Sequence, residues 1–174
     1  MNKLPAKTSN NPIGRGMSIL AWVMSIGLLV LVFDDELTKQ FNPNEAPESR
    51  FTQSGVEVVL KQNRQGHYVT TGKINGKEVV FLIDTGATEV SVPADLADEL
   101  GLRGGRSVRL RTANGTVTGY DTQIGELSIG NLTVYNVDGH INPGMRNQAI
   151  LLGMSVLREL EFTQRGDTLI IRQL

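Results

Sequence analysis

Three hydrophobic patterns succeed one another along this chain. Residues 17–33, MSILAWVMSIGLLVLVF, form an apolar run without a charge. As a helix rising 1.5 Å per residue the run would span about 25 Å, near the lower bound for crossing a bilayer. No polar face recurs in it at helical spacing, which argues against a buried core helix. Residues 34–54 lose apolar periodicity, carry Pro43 and Pro47, and predict a linker. From Gly55 onward the period changes to two: Val56, Val58 and Leu60 alternate with polar residues, as in a half-buried strand. A turn at 62–66 leads to a second strand over 68–74. Asn75-Gly76 is a type I′ hairpin signal, and a third strand over 77–83 ends in the apolar Val79-Val80-Phe81-Leu82-Ile83.

Residues 93–100 predict a short helix, with Pro93 suited to its first turn and Gly101 to its end. Asn114-Gly115 and Gly130-Asn131 mark two further hairpins. Residues 155–160 predict one more short helix. Gly166-Asp167 joins two closing strands, 161–165 and 168–172. No internal repeat or low-complexity segment is visible. The pattern predicts a tail (1–16), a transmembrane helix (17–33), a linker (34–54) and an all-β domain with one or two short helices (55–174), of about 120 residues, a normal domain size.

Composition changes this picture at three points. The chain has 174 residues and no cysteine, so disulfides, thiolate nucleophiles and Cys-based zinc sites are excluded. Its 19 glycines and few aromatics suit the tight turns of a small β domain. Charge is unevenly placed: Lys3, Lys7 and Arg15 precede the apolar run, and Asp34, Asp35 and Glu36 follow it. The positive-inside rule then puts the N-terminus in the cytoplasm and the remainder outside. A cleaved signal peptide is the competing reading. It needs small residues before the cut, whereas this run ends Val30-Leu31-Val32-Phe33, so an uncleaved anchor is favoured. Residues 55–174 balance 12 bases against 13 acids, which gives no sign of a nucleic-acid partner.

The stretch that carries chemistry is Phe81-Leu82-Ile83-Asp84-Thr85-Gly86-Ala87-Thr88. An acid directly after a buried strand is costly unless hydrogen bonds or a shared proton relieve it. Thr85 supplies a hydroxyl beside it, and Gly86 lets the chain turn sharply. A carboxylate held at a strand tip is suited to meeting a second carboxylate across a two-fold axis. Two carboxylates at close range share one proton and titrate apart. One then serves as general base on a water while the other, protonated, polarises a carbonyl. That chemistry requires no metal and no cofactor.

Asp84-Thr85-Gly86 after an apolar strand resembles the hallmark of the pepsin-type aspartic proteases. The tripeptide alone is a weak signal. Ala149-Ile150-Leu151-Leu152-Gly153 strengthens it, because single-lobe members carry an apolar-apolar-Gly strand under the catalytic loop, followed by a short helix. Residues 154–160 fit that helix, and residues 111–119 occupy the place of the flap hairpin that closes over substrate. The order covers roughly 55–174 and is most similar to the bacterial membrane-anchored retropepsin-like proteases. The resemblance implies a single-lobe acid-protease barrel with Asp84 as the catalytic residue. Thr85 would lock two loops together across a dimer, and Gly86, Ala87 and Thr88 would complete the active-site loop. Thr112, Ala113, Asn114 and Gly115 would form the flap, and Leu151, Leu152 and Gly153 the supporting strand. It further implies a protein or peptide substrate and a domain on the periplasmic side of the cell inner membrane. Only one Asp-Thr-Gly occurs, so the site demands a homodimer. Confinement by the anchor would favour pairing. The flap tip departs from the retroviral pattern in being poorer in glycine.

A catalytically silent dimer serving as a peptide-binding module is the alternative. Other residues read more plainly. Asp84-Thr85-Gly86 is also compatible with an ordinary turn. His67 and His140 read as surface or loop histidines, and Asp95, Asp98 and Glu99 as a solvated helix face. Asp121 and Asp138 lack a motif. Arg103, Arg106, Arg109 and Arg111 form a basic run, read as a solvated face, with a flap subsite for acidic substrates as the sharper reading.

Overall fold

The structure is a computed structural model that describes residues 12–53, 55–112, 115–146 and 149–173. In chain order the elements are α1 (Pro12–Phe41), β1 (Glu48–Thr52), β2 (Gly55–Lys61), β3 (Val69–Ile74), β4 (Lys77–Ile83), β5 (Val90–Pro93), α2 (Ala94–Ala97), β6 (Ser107–Thr112), β7 (Gly115–Ile129), β8 (Leu132–Asn142), β9 (Ala149–Leu152), α3 (Met154–Leu157), β10 (Glu161–Arg165) and β11 (Thr168–Gln173). The chain divides into two units at Thr38/Lys39. The fold is mostly β, with one long N-terminal helix and two short ones, as the sequence pattern predicts.

α1 forms the described part of the first unit and ends in the first residues of the second; it contains a 26-residue stretch, Gly16–Phe41, long and apolar enough to cross a membrane. The helix is longer than the apolar run that predicted it. It continues through Asp34, Asp35 and Glu36 to Phe41.

The second unit holds two sheets. The smaller has the order β1-β2-β11-β10, all antiparallel. Its inner face buries Val58, Leu60, Leu169 and Ile171. These are the period-two positions of β2 and β11, so alternation alone places them inside. The larger sheet has the order β3-β4-β9-β5-β8-β7-β6, and a further β3–β7 pairing closes six of its strands into a barrel. Phe81, Val90, Val92, Ile124, Leu127, Ile150 and Leu152 fill the barrel and are fully buried. The hairpin at Asn75-Gly76 has both residues at positive φ, 49° and 79°, as a type I′ turn requires.

Of the segment read as a linker, residues 39–53 instead belong to this domain. Residues 34–41 are helical, and β1 pairs with β2 along its whole length. Between them Asn44, only 5% exposed, substitutes for a missing strand. Its Nδ2 donates to the carbonyls of Lys61 (2.9 Å) and Val69 (2.6 Å), and its Oδ1 accepts from the N–H of Lys61 (2.7 Å). Its own carbonyl accepts from the N–H of Thr71 (3.0 Å). Asn42 joins the clamp by donating to Thr71 Oγ1 (2.9 Å) and accepting from the N–H of Asn44 (3.0 Å). Two prolines and scattered acids hide this from a periodicity reading, because the segment is held by amide hydrogen bonds rather than an apolar stripe.

Removing the Asn44 side chain leaves three backbone groups without that partner, the buried carbonyl of Val69 and the partly buried N–H and carbonyl of Lys61, each costing up to about 1–3 kcal/mol if unrelieved. Asn44→Ala should therefore destabilise the domain by about 2–4 kcal/mol, allowing for partial relief by water. Urea unfolding of the full chain in mild detergent, followed by far-UV circular dichroism, checks this.

Candidate active site

Strand order places the acid. β9 lies between β4 and β5, parallel to β4 over four residue pairs and antiparallel to β5 at Ser91↔Leu151. The link from β4 to β5 must therefore arch over the end of β9, and that link is residues 84–89. Asp84 opens it. Its N–H donates to the carbonyl of Leu152 (3.1 Å), extending the β4–β9 ladder by one residue. The N–H of Gly86 donates to Asp84 Oδ1 (2.9 Å), and the N–H of Ala87 to the carbonyl of Asp84 (3.2 Å).

The far side of the loop is pinned by the chain leaving β9. Met154 and Ser155, opening α3, donate their N–H groups to the carbonyls of Ala87 (2.9 Å) and Thr88 (3.0 Å). Ser155 Oγ, buried, accepts from the N–H of Val90 (3.1 Å). Gly153 has to be glycine. A Cβ there would stand 2.3 Å from the carbonyl oxygen of Glu89 and 2.8 Å from that of Ala87. Leu151, Leu152 and Gly153 thus form the support under the loop: Leu152 is buried in the core, and Leu151 faces the cleft.

The loop floors a cleft of about 610 Å³. Asp84, Gly86, Ala87 and Thr88 lie on one side, and β6, from Val108 to Thr112, on the other. Thr85 instead faces a second cavity of about 290 Å³, which Asp84 also lines. β6 and β7 pair as the flap hairpin requires, with Thr112 opposite Gly115. Thr112 Oγ1 donates to the carbonyl of Gly115 (2.8 Å), closing the turn from below. Ala113 and Asn114, expected at the flap tip, lie outside the described residues. Arg109 and Arg111 are exposed and border the cleft, so the basic run reaches it through these two residues.

The structure also brings Glu89, Ser91, Asp121, His140 and Asn142 into the cleft. None of these stood out in the sequence. β5 is buried at all four positions and so shows no alternation, while Asp121 and His140 become neighbours only through the β7–β8 register. His140 Nδ1 lies 3.6 Å from Glu89 Oε2, and Arg106 Nε lies 3.6 Å from Asp121 Oδ2. Two of the cleft's three carboxylates therefore face a basic side chain. Asp84 has no ionic partner among the described residues. Burial holds the His140 imidazole below its ordinary 6.5, against the opposing pull of Glu89 and Asp121. No cluster of three His, Cys, Asp or Glu side chains suited to a metal occurs among the described residues.

Residues 70–159, just over half of the chain, match the family described as "gag-polyprotein putative aspartyl protease". An uncharacterized protein from the cobV 5′ region of a Sinorhizobium species is 30% identical over 94% of this chain and 76% of its own length. An uncharacterized protein of Rickettsia prowazekii (strain Madrid E) is 28% identical over 72% of this chain, which spans 55% of that relative. A solved retropepsin-like aspartic protease from Rickettsia conorii superposes with a TM-score of 0.58 at 25% identity, covering 74% of this chain and 94% of that one.

Two substitutions test the site's construction. Gly153→Ala should cost about 1–3 kcal/mol by forcing the loop off its support, read by urea unfolding. His140 binds a proton less readily folded than unfolded, so its contribution is complete above 6.5 and declines as pH falls through that value toward its lower folded one. His140→Gln should flatten this acid-side decline, measured as stability against pH.

Proposed function

This chain belongs to the retropepsin-like aspartic protease family, and from that premise we propose that it is an aspartic endopeptidase whose centre forms when Asp84 of two copies meets on a two-fold axis. The observation that carries the reading is the state of Asp84. It sits on a braced loop at a strand tip, half-buried, in a cleft deep enough for peptide. Its side chain takes a hydrogen bond only from its own loop among the described residues, and it lacks a second acid of the same kind. Thr85, Gly86 and Thr88 beside it are exposed, as a surface awaiting a second copy would be.

In the paired site the two carboxylates hold one proton between them. The ionised carboxylate takes a proton from a water as the water oxygen bonds to the scissile carbonyl carbon. The protonated carboxylate gives its proton to the carbonyl oxygen. The tetrahedral diol then collapses: the carboxyl that took the water's proton gives it to the nitrogen as the C–N bond breaks, and a diol hydroxyl returns its proton to the other carboxylate, so the dyad again holds one proton. Gly86 and Ala87 present backbone to the substrate strand, and β6 borders it on the opposite side. Arg109 and Arg111 border the cleft on that side.

The apolar stretch of α1 supports the reading of a single-pass anchor. Lys3, Lys7 and Arg15 before it favour a cytoplasmic N-terminus. The domain would then act on extracytoplasmic or membrane-proximal proteins at the cell inner membrane.

The test uses the full chain in mild detergent with a diverse peptide pool, from acid to neutral pH, read by mass spectrometry. Asp84→Asn should lower cleavage by about 10²–10⁴-fold or to background while leaving fold and association intact. Cleavage that survives the substitution refutes the mechanism. A folded, paired protein that cleaves nothing favours the silent peptide-binding module.

A further inference from the structure

One end of the cleft has no part in the proposed mechanism. Asp121 on β7 and His140 on β8 stand opposite each other in register, and β5 sets Ser91 beside His140. Glu89, near the end of the loop that carries Asp84, meets the same imidazole, its Oε2 3.6 Å from Nδ1. The His140 side chain is 15% exposed, against 41% for Glu89 and 39% for Asp121, so the ring lies deeper than the two carboxylates. Glu89 and Asp121 are the charged groups that act on it. Asp138 shares its strand face but is exposed, α2 carries only the exposed Asp95, and α3 carries no charge. Hydrogen-bond donors are what this corner lacks. Burial keeps the ring neutral near pH 7, so one nitrogen donates and the other accepts. Glu89 can only accept, which assigns the ring proton to Nδ1 and the lone pair to Nε2. The Ser91 hydroxyl is engaged by Met145 Sδ (3.1 Å). Arg106 lies 3.6 Å from Asp121 but is 93% exposed, and such a pair adds little.

We propose that Glu89, His140 and Asp121 select a basic side chain, lysine or arginine, in the peptide that enters the cleft, and that this selection is lost when His140 gains a proton. The proposal rests on the aspartic endopeptidase reading and deepens it by naming a substrate class. An ammonium or guanidinium supplies the missing donors, to both carboxylates and to Nε2, in charge-assisted hydrogen bonds. The cleft's other cations stand apart from this corner. Along the β6–β7 ladder Asp121 is level with Arg106, three residues short of Arg109 and five short of Arg111, a separation of about 10 Å or more at strand rise. Protonation reverses the corner's chemistry. Both ring nitrogens then donate, the new charge offsets Glu89 and Asp121, and a second cation is repelled. Because a bound cation favours the neutral ring, the selection is complete above 6.5 and fades as pH falls through the lower folded value of His140.

Cleavage profiles of the full chain in mild detergent test the selection. At neutral pH the peptides cut from a diverse pool should carry Lys or Arg at one fixed distance from the scissile bond, about five- to tenfold above their frequency in the pool. In acid the enrichment should fall to about twofold or less. E89Q and D121N should each reduce it at neutral pH. H140Q has no proton to gain, so its enrichment should persist into acid. A neutral-pH profile without basic enrichment, or one enriched in acidic residues, overturns the proposal. So does an H140Q profile that still collapses in acid as the parent's does.

Binding is the second arm and needs no turnover. Asp84→Asn leaves the corner untouched, so the peptides it retains from the same pool should show the same basic enrichment. The chain has two histidines, His67 and His140, so the His140 ring-proton resonance can be followed by NMR and assigned by its loss in H140Q. A retained lysine peptide should make His140 titrate at lower pH, and its methionine analogue should not. An unmoved His140 midpoint, or no basic enrichment among retained peptides, overturns the proposal. The arms also separate it from the reading beneath it. Cleavage that survives Asp84→Asn removes the two-Asp84 mechanism and leaves the selection to the binding arm. A profile without basic enrichment in a protein that Asp84→Asn silences removes the selection alone.

Discussion

The structure depends on one topological constraint: β9 is inserted between β4 and β5. A chain leaving β4 must cross the end of β9 before it can enter β5, and the crossing is where the acid sits. The same insertion supplies the support. The carbonyl of Leu152 holds the start of the loop, and the first two N–H groups after Gly153 hold its far side. The loop is thereby fixed at both ends by one short segment, so an error in β9 is transmitted to Asp84 without an intermediate. This explains why glycine stands at 153, where backbone oxygens approach closer than any side chain permits.

On the proposed reading, the bracing surrounds a site that a second copy completes. The cleft's other two carboxylates face basic partners, Glu89 with His140 and Asp121 with Arg106. Asp84 has no ionic partner among the described residues, which is the state the proposed mechanism requires. Its neighbour Thr85 turns away from the cleft toward the cavity shared with β10. On the proposed reading, Asp84 faces substrate while the exposed Thr85 lies on the side where a second copy docks. On that reading, dimer formation and completion of the active site are one event, because the same loop carries both surfaces.

The parts legible in the sequence were those with a local cause. Alternation found β2, the apolar run before Asp84 found β4, and turn chemistry found the hairpins at Asn75-Gly76, Gly130-Asn131 and Gly166-Asp167 with the strands they join. The apolar strand ending in Asp84-Thr85-Gly86, with Leu151-Leu152-Gly153 after it, located the loop and its support. The parts missed had non-local causes. β5 is buried on both faces and shows no period. Asn44 replaces a strand with side-chain hydrogen bonds to two distant segments, a role that composition does not reveal. His140 and Asp121 look like isolated surface residues until β7 and β8 are set in register. The linker was misread for the same reason, since its prolines signal a break whether or not the segment then folds back onto the domain.

The folding of residues 42–52 into the domain bears on how activity would be controlled. Removing that segment would strip β1 from the sheet and withdraw Asn44 from the β2–β3 corner. Release of the domain by a cut there would therefore damage it rather than activate it. Control by association fits the architecture better. Two copies held in one membrane plane would pair more readily, because effective concentration rises without any new contact. Under the proposed reading, the apolar helix that lies outside the catalytic fold would set how much of the protein is paired, and so how much of it can cut.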